Sequence, residues 1–158
     1  MTAVIAERVS GRSLVPDHLF ARLIARIVVD EQIARPLAER IMAQALAFVK
    51  TCADNPGVPL SPSRLVDIGW HTFILHTREY AAFCQRVAGR FIHHTPTEGG
   101  PYDVAGPDAV LRSTINAIEA SGFAVDPQLW EPHTSLGKCS DDGGGKCHQC
   151  YAGCYNSP

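Results

Sequence analysis

Apolar residues recur at helical spacing along most of the chain. Leu19, Leu23, Ile24 and Ile27 fall on one face, with Pro16 or Asp17 suited to the start, and predict a first helix. Leu37, Ile41, Ala45, Phe48 and Val49 predict a second, from about Pro36 to Ala53, with Pro36 in the first turn, where its missing N–H is harmless. "ADNPGVPLSPS" is a cluster of breakers and reads as a loop. Ser61-Pro62 is a cap and first-turn pair for a third helix, which Thr77 can interrupt by capping a new one. Gly89 is expected to stop that stretch, and "FIHHTPTEGGPYDVAGPD" after it is irregular. A last helix has Asp108 as cap, Leu111, Ile115 and Ile118 as stripe and Gly122 as stop. No run alternates with the period of a strand. The expected fold is all-α, a compact bundle of four or five helices over residues 1–130, followed by an irregular tail over 131–158.

Composition narrows the function classes. A formal charge of −2 gives no basic footprint for nucleic acid. No window approaches the ~20 apolar residues of a membrane span. The opening "MTAVIAERVSGRSLVPDH" lacks the charged start and apolar run of a signal peptide, so a cytoplasmic protein is expected. Its six cysteines, kept reduced there, point to metal before disulfide.

The third helix adds chemistry to an apolar stripe. In "VDIGWHTFILHTREYAAFC", Asp67, Trp70, His71 and Ile74 share a face at 100° per residue. An aspartate one turn before a histidine can orient the imidazole, as it does beside metal ions and in general bases. The plainer reading is that Asp67 and His71 satisfy each other at a helix contact. His76 lies roughly 140° around the helix from His71, so a regular helix cannot present both to one ion. Cys84 lies roughly 20 Å further along, and joins His71 only if the chain bends near residues 76–78. Without that bend it is a small buried hydrophobe. Past Gly89 the chain turns, so His93 or His94 can return to the third helix. Neighbours in extended backbone point opposite ways, so one of the two faces inward.

These residues resemble the glycine-rich domain-containing protein-like family, whose pattern Asp-x-x-Trp-His, Tyr, Cys, Gly-x-x-x-x-His falls on Asp67, Trp70, His71, Tyr80, Cys84, Gly89 and His94. The resemblance covers roughly Pro16 to Gly122. It implies a helical fold and a pocket around His71, and no particular reaction. Many relatives carry a second histidine where this chain has Phe73, and the larger plant members add RNA-recognition and glycine-rich segments absent here.

The tail holds the stronger metal signal. Cys139-x7-Cys147-x2-Cys150-x3-Cys154 places four thiols within sixteen residues around a tight Cys-x2-Cys loop. Zn²⁺ favours four such thiolates, and its bonds can order a segment that has no core. Iron or copper are the other thiophilic choices. The spacing departs from the ferredoxin run, and no βαβ setting supports a redox pair. His148 can replace one cysteine, whereas His133 reads as a surface residue.

Three functions follow. The first is a small metal-binding protein, a metalloenzyme with His71 and His94 as ligands and Asp67 as orienter. The second is a zinc-stapled binding or adaptor module whose helical core docks a small molecule or protein. The third is a carrier for copper or zinc. Asp67 and His71 are the catalytic candidates, and Cys139, Cys147, Cys150, Cys154, His71 and His94 the metal ligands.

Overall fold

The computed structural model describes residues 7–96, 107–131 and 152–153. Its fold is all-α, with five α-helices among the described residues: α1 (Asp17–Glu31), α2 (Arg35–Asp54), α3 (Arg64–Leu75), α4 (Thr77–Ala88) and α5 (Pro107–Ala120). Two 3₁₀ turns, Gly11–Leu14 and Pro127–Leu129, flank this set.

Composition explains why α2 lies at the centre. It buries residues around most of its circumference, among them Ala38, Ile41, Met42, Ala45, Ala47, Phe48 and Val49. A helix apolar on nearly all sides finds its place inside a bundle. The helices α1, α3, α4 and α5 and the first 3₁₀ turn all pack on it. Glycine sets two of these approaches. A Cβ on Gly69 of α3 would stand 2.7 Å from the Ala45 Cβ, and one on Gly11 would stand 2.1 Å from the Ala43 carbonyl oxygen. The helices can meet this closely only where a side chain is missing.

The chain bends where the sequence predicts. Helix α3 ends at Leu75, His76 forms a one-residue junction, and α4 starts at Thr77. His76 accepts this break with its ring Nδ1 at 2.9 Å from the Thr72 carbonyl oxygen. Helix α4 then stops at Gly89, whose φ of 67° suits glycine, and α5 is followed by Gly122 at φ 86°. The expected cap at Ser61 is displaced by two residues: Ser63 caps α3, its Oγ accepting from Val66 N at 3.2 Å. Ser61 is engaged elsewhere, its N–H donating to Thr114 Oγ1 at 3.0 Å.

An aromatic cluster fills the angle between α2, α3 and α4. Phe48, Trp70, Phe73, Tyr80 and Phe83 are all at most 1% exposed. Burying each such ring contributes about 1.5–3 kcal/mol. Edge contacts of 5.2–5.3 Å between Phe48 and Trp70, Phe73 and Tyr80, and Phe73 and Phe83 join them.

The C-terminal side is tied to α2 by a polar side chain. Gln44, inside α2, donates to the Ala124 carbonyl at 2.9 Å and accepts from Trp130 Nε1 at 2.7 Å and Asp126 N at 3.2 Å. Arg40 pairs with Asp126 one turn earlier, at 2.6 Å. Beyond Glu131, Ala152–Gly153 forms a two-residue antiparallel ladder with Thr95–Pro96. The tail cysteines Cys139, Cys147, Cys150 and Cys154, with His133 and His148, lie outside the described residues. Among the described residues no helix is long and apolar enough to cross a membrane.

Candidate metal centre

Helix α3 supplies the base of the site. Asp67 and His71, one turn apart, stand on its outer edge, while Trp70 between them turns into the core. Adjacent helical residues differ by about 100°, so this helix straddles the boundary of the core at Trp70 and His71. The third member comes from the extended segment after α4. Ile92 is buried and His93 exposed, and His94 points back toward α3 with a side chain only 10% exposed. The alternation of extended backbone thus selects His94 of the adjacent pair.

A buried relay holds that returning segment. Trp70 Nε1–H donates to the Tyr80 hydroxyl at 2.9 Å, and that hydroxyl donates to the Ile92 carbonyl at 2.7 Å. The break at His76 lets α4 fold back far enough for Tyr80 to reach Trp70. The His94 ring then rests on Trp70, with centroids 4.3 Å apart.

Three donor atoms converge. His94 Nε2 lies 2.8 Å from Asp67 Oδ1 and 2.8 Å from His71 Nε2, and His71 Nε2 lies 3.4 Å from Asp67 Oδ2. Asp67 is therefore closer to His94 than to His71, which the one-turn spacing alone had assigned as its partner. Two imidazole lone pairs cannot face each other at this distance without a proton or a cation between them. With a proton, one N–H on His94 Nε2 is shared between the Asp67 carboxylate and the His71 lone pair. With a cation at the ~2.0–2.1 Å of zinc–nitrogen bonds, tetrahedral donors stand ~3.3 Å apart, so the three atoms need shift by only about half an ångström. His71 is 47% exposed at its side chain, so the cluster opens to solvent on that side.

The other candidates fall elsewhere. His76 is engaged at the helix junction, and His93 stacks on Phe91 at 4.8 Å. Cys84 is fully buried, and burial pushes its thiol above the ordinary range. It is not part of the converging group, which contains Asp67, His71 and His94 among the described residues. Pattern reading missed the roles of Tyr80 and Gln44. The visible signal for Gln44 was an amide amid the apolar positions of α2.

Comparison with known proteins corrects the family expected from the sequence. Residues 14–114 match the profile of the UCP032817-like family, a stretch that includes Asp67, His71 and His94 and ends before the tail cysteines. No curated protein and no solved structure matches significantly. The resemblance to the glycine-rich domain-containing protein-like family rested on a few residues spaced over α3 and α4. Such a sparse pattern carries far less information than a match running through α1, α2, α3, α4 and into α5. The chain belongs to the UCP032817-like family.

Proposed function

We propose that this is a metal-binding protein whose mononuclear centre is formed by Asp67, His71 and His94. The observation that supports it is the convergence of these three ligand atoms within 4.8 Å of one another. Two imidazoles and a carboxylate are a donor set for zinc, or for ferrous iron with open positions, and copper is the third choice by softness. An ion held from one side by three protein ligands retains a solvent-facing position. Water bound there is acidified toward neutrality, which makes metal-assisted hydrolysis the reaction class that suits a catalytic reading. In that reading the Trp70–Tyr80–Ile92 relay fixes His94, while Asp67 is a ligand as well as an orienting group. The readings as adaptor module or carrier place the ion instead at the tail cysteines, which lie outside the described residues.

We also take the chain to work in the cytoplasm, a reading supported by Cys84, which is buried and not in a disulfide.

Elemental analysis of the purified protein tests the centre. His71→Ala and His94→Ala should each lose one equivalent of metal while the helical circular dichroism is retained. His18→Ala, at an exposed position of α1, should change nothing. Metal content unaffected by both site variants would refute the proposal.

A further inference from the structure

His71 is the exposed member of the centre, and its surroundings on α3 are apolar. On a helix the neighbours of a side chain are the residues three and four positions away. Within α3 those of His71 are Asp67, Ile68, Ile74 and Leu75. Asp67 belongs to the ligand group, and the other three are aliphatic. Ile68 and Ile74 are partly buried and pack against the core. Leu75 is 69% exposed. An exposed leucine is ordinary by itself, but this one stands a turn from a histidine whose side chain is 47% exposed. Helical side chains lean toward the N-terminus of their helix and cover the preceding turn. Leu75 therefore leans toward the turn that carries His71, on the side where the centre opens. Four residues put the two Cα atoms ~6 Å apart along the axis. A ligand entering there meets a hydrocarbon edge, and a charged substituent finds no partner among these neighbours.

We propose that the centre takes aliphatic acyl compounds, with an acyl oxygen at the ion and the hydrocarbon chain lying along Leu75. This rests on the metal reading of Asp67, His71 and His94 and adds a substrate class to it. Leu75 is then a specificity-determining residue, which touches the chain and leaves the ion's own ligands unaltered. The distance along the helix exceeds the reach of an acetyl group, so the gain starts with longer chains. A methylene buried on all sides raises affinity about fourfold, and one covered on a single face about twofold. An edge as open as Leu75 provides the smaller increment. The leucine's exposure also means that replacing it alters the ligand surface and spares the core.

The experiment loads the full chain with Co²⁺ and titrates it with acetate, butyrate and hexanoate. The visible d–d bands of cobalt shift when a carboxylate replaces bound water, so each affinity is read without turnover. His71→Ala should lose cobalt and the carboxylate response together, which assigns both to this centre. Affinity should rise about twofold per methylene, or about 15-fold from acetate to hexanoate. Leu75→Ser should bring hexanoate down to within about threefold of acetate, whereas Leu75→Met should keep the rise. Val29→Ser, at a comparably exposed position of α1 (70%), should leave the series unchanged. A flat series with the intact chain, or a rise that survives Leu75→Ser, would overturn the acyl reading and leave the three-residue centre standing. Cobalt that is lost in His71→Ala but answers to no carboxylate would overturn it as well, since the ion then has no open position. Cobalt content unaffected by His71→Ala would sink the metal reading and this one with it. The series on the intact chain decides the matter even where a variant fails to fold.

Discussion

Tyr80→Phe removes one oxygen atom and nothing else from the core. The hydroxyl is the middle of a three-part relay: it accepts from Trp70 Nε1 at 2.9 Å and donates to the Ile92 carbonyl at 2.7 Å. Tyr80 and Trp70 are fully buried and Ile92 is 1% exposed, so water cannot replace the missing partner. The variant therefore leaves two buried polar groups unsatisfied, each at about 1–3 kcal/mol, while the phenyl ring keeps its apolar contacts. The expected loss is about 2–5 kcal/mol, which for a domain of this size lowers Tm by about 5–15 °C. Urea unfolding followed by far-ultraviolet circular dichroism measures it. The same bond anchors the backbone two residues before His94, so metal affinity should fall about 10–100-fold, as it does when groups orienting a ligand are lost. A stability change below about 0.5 kcal/mol, the range of surface substitutions, would refute the relay as a structural support. A full loss of stability with unaltered metal affinity would separate the relay from the site.

Gln44→Leu keeps the volume of α2 but deletes three bonds to the segment ending at Trp130; a loss of about 2–4 kcal/mol is expected in denaturant unfolding. Gly69→Ala forces α3 away from Ala45 and Ile41, and should destabilise the fold by about 1–3 kcal/mol in the same assay. Cys84 should resist alkylation in the native protein and react on unfolding, as mass spectrometry of the modified chain will show. Burial raises its folded pKa, so the unfolded chain gives up this proton first as pH rises. The Cys84 contribution to stability is therefore complete below the ordinary thiol pKa and lost above it, until the folded thiol also titrates. Cys84→Ala should flatten that alkaline decline. A chain ending at Glu131 should still melt cooperatively, since the helices and the Gln44–Trp130 tie precede that residue.

Much of this arrangement is legible in the sequence, for physical reasons that differ along the chain. The stripes of α1 and α5 repeat at the helical period, and glycine at φ > 0 ends α4 and follows α5, so these stripes and stops can be read directly, whereas Asp108, expected as the cap of α5, falls inside its first turn after Pro107. The interruption near Thr77 is legible, but the cap expected there is not found: Thr77 is the first residue of α4, and His76 stands at the cap position without a side-chain bond. The cap of α3 is not legible, since Ser61 and Ser63 are chemically equivalent and the local sequence does not separate them. Asp67 and His71 follow from periodicity, which also says that one of His93 and His94 faces inward without saying which, and the pairing of Asp67 with His94 does not follow at all. That pairing depends on where a loop returns, which the Tyr80 hydroxyl decides from ten residues beyond Trp70. Tyr80 reads as one more aromatic core position, because pattern reports the burial of a phenol and says nothing of what its oxygen meets.

The stacking of His94 on Trp70 makes the protein its own optical probe. With ring centroids 4.3 Å apart, the indole is in contact with whatever charge the imidazole carries. A protonated imidazole is an efficient electron acceptor from an excited indole, whereas a neutral ring is a poor one. The emission of Trp70 should therefore dim as His94 acquires a proton and recover as that proton leaves. Trp130, with its ring packed near Phe48, supplies the only other tryptophan emission and is separable in a Trp130→Phe background. Unlabelled protein in a fluorimeter thus reports the ionisation of one chosen histidine, which seven histidines titrating together in a proton spectrum would obscure.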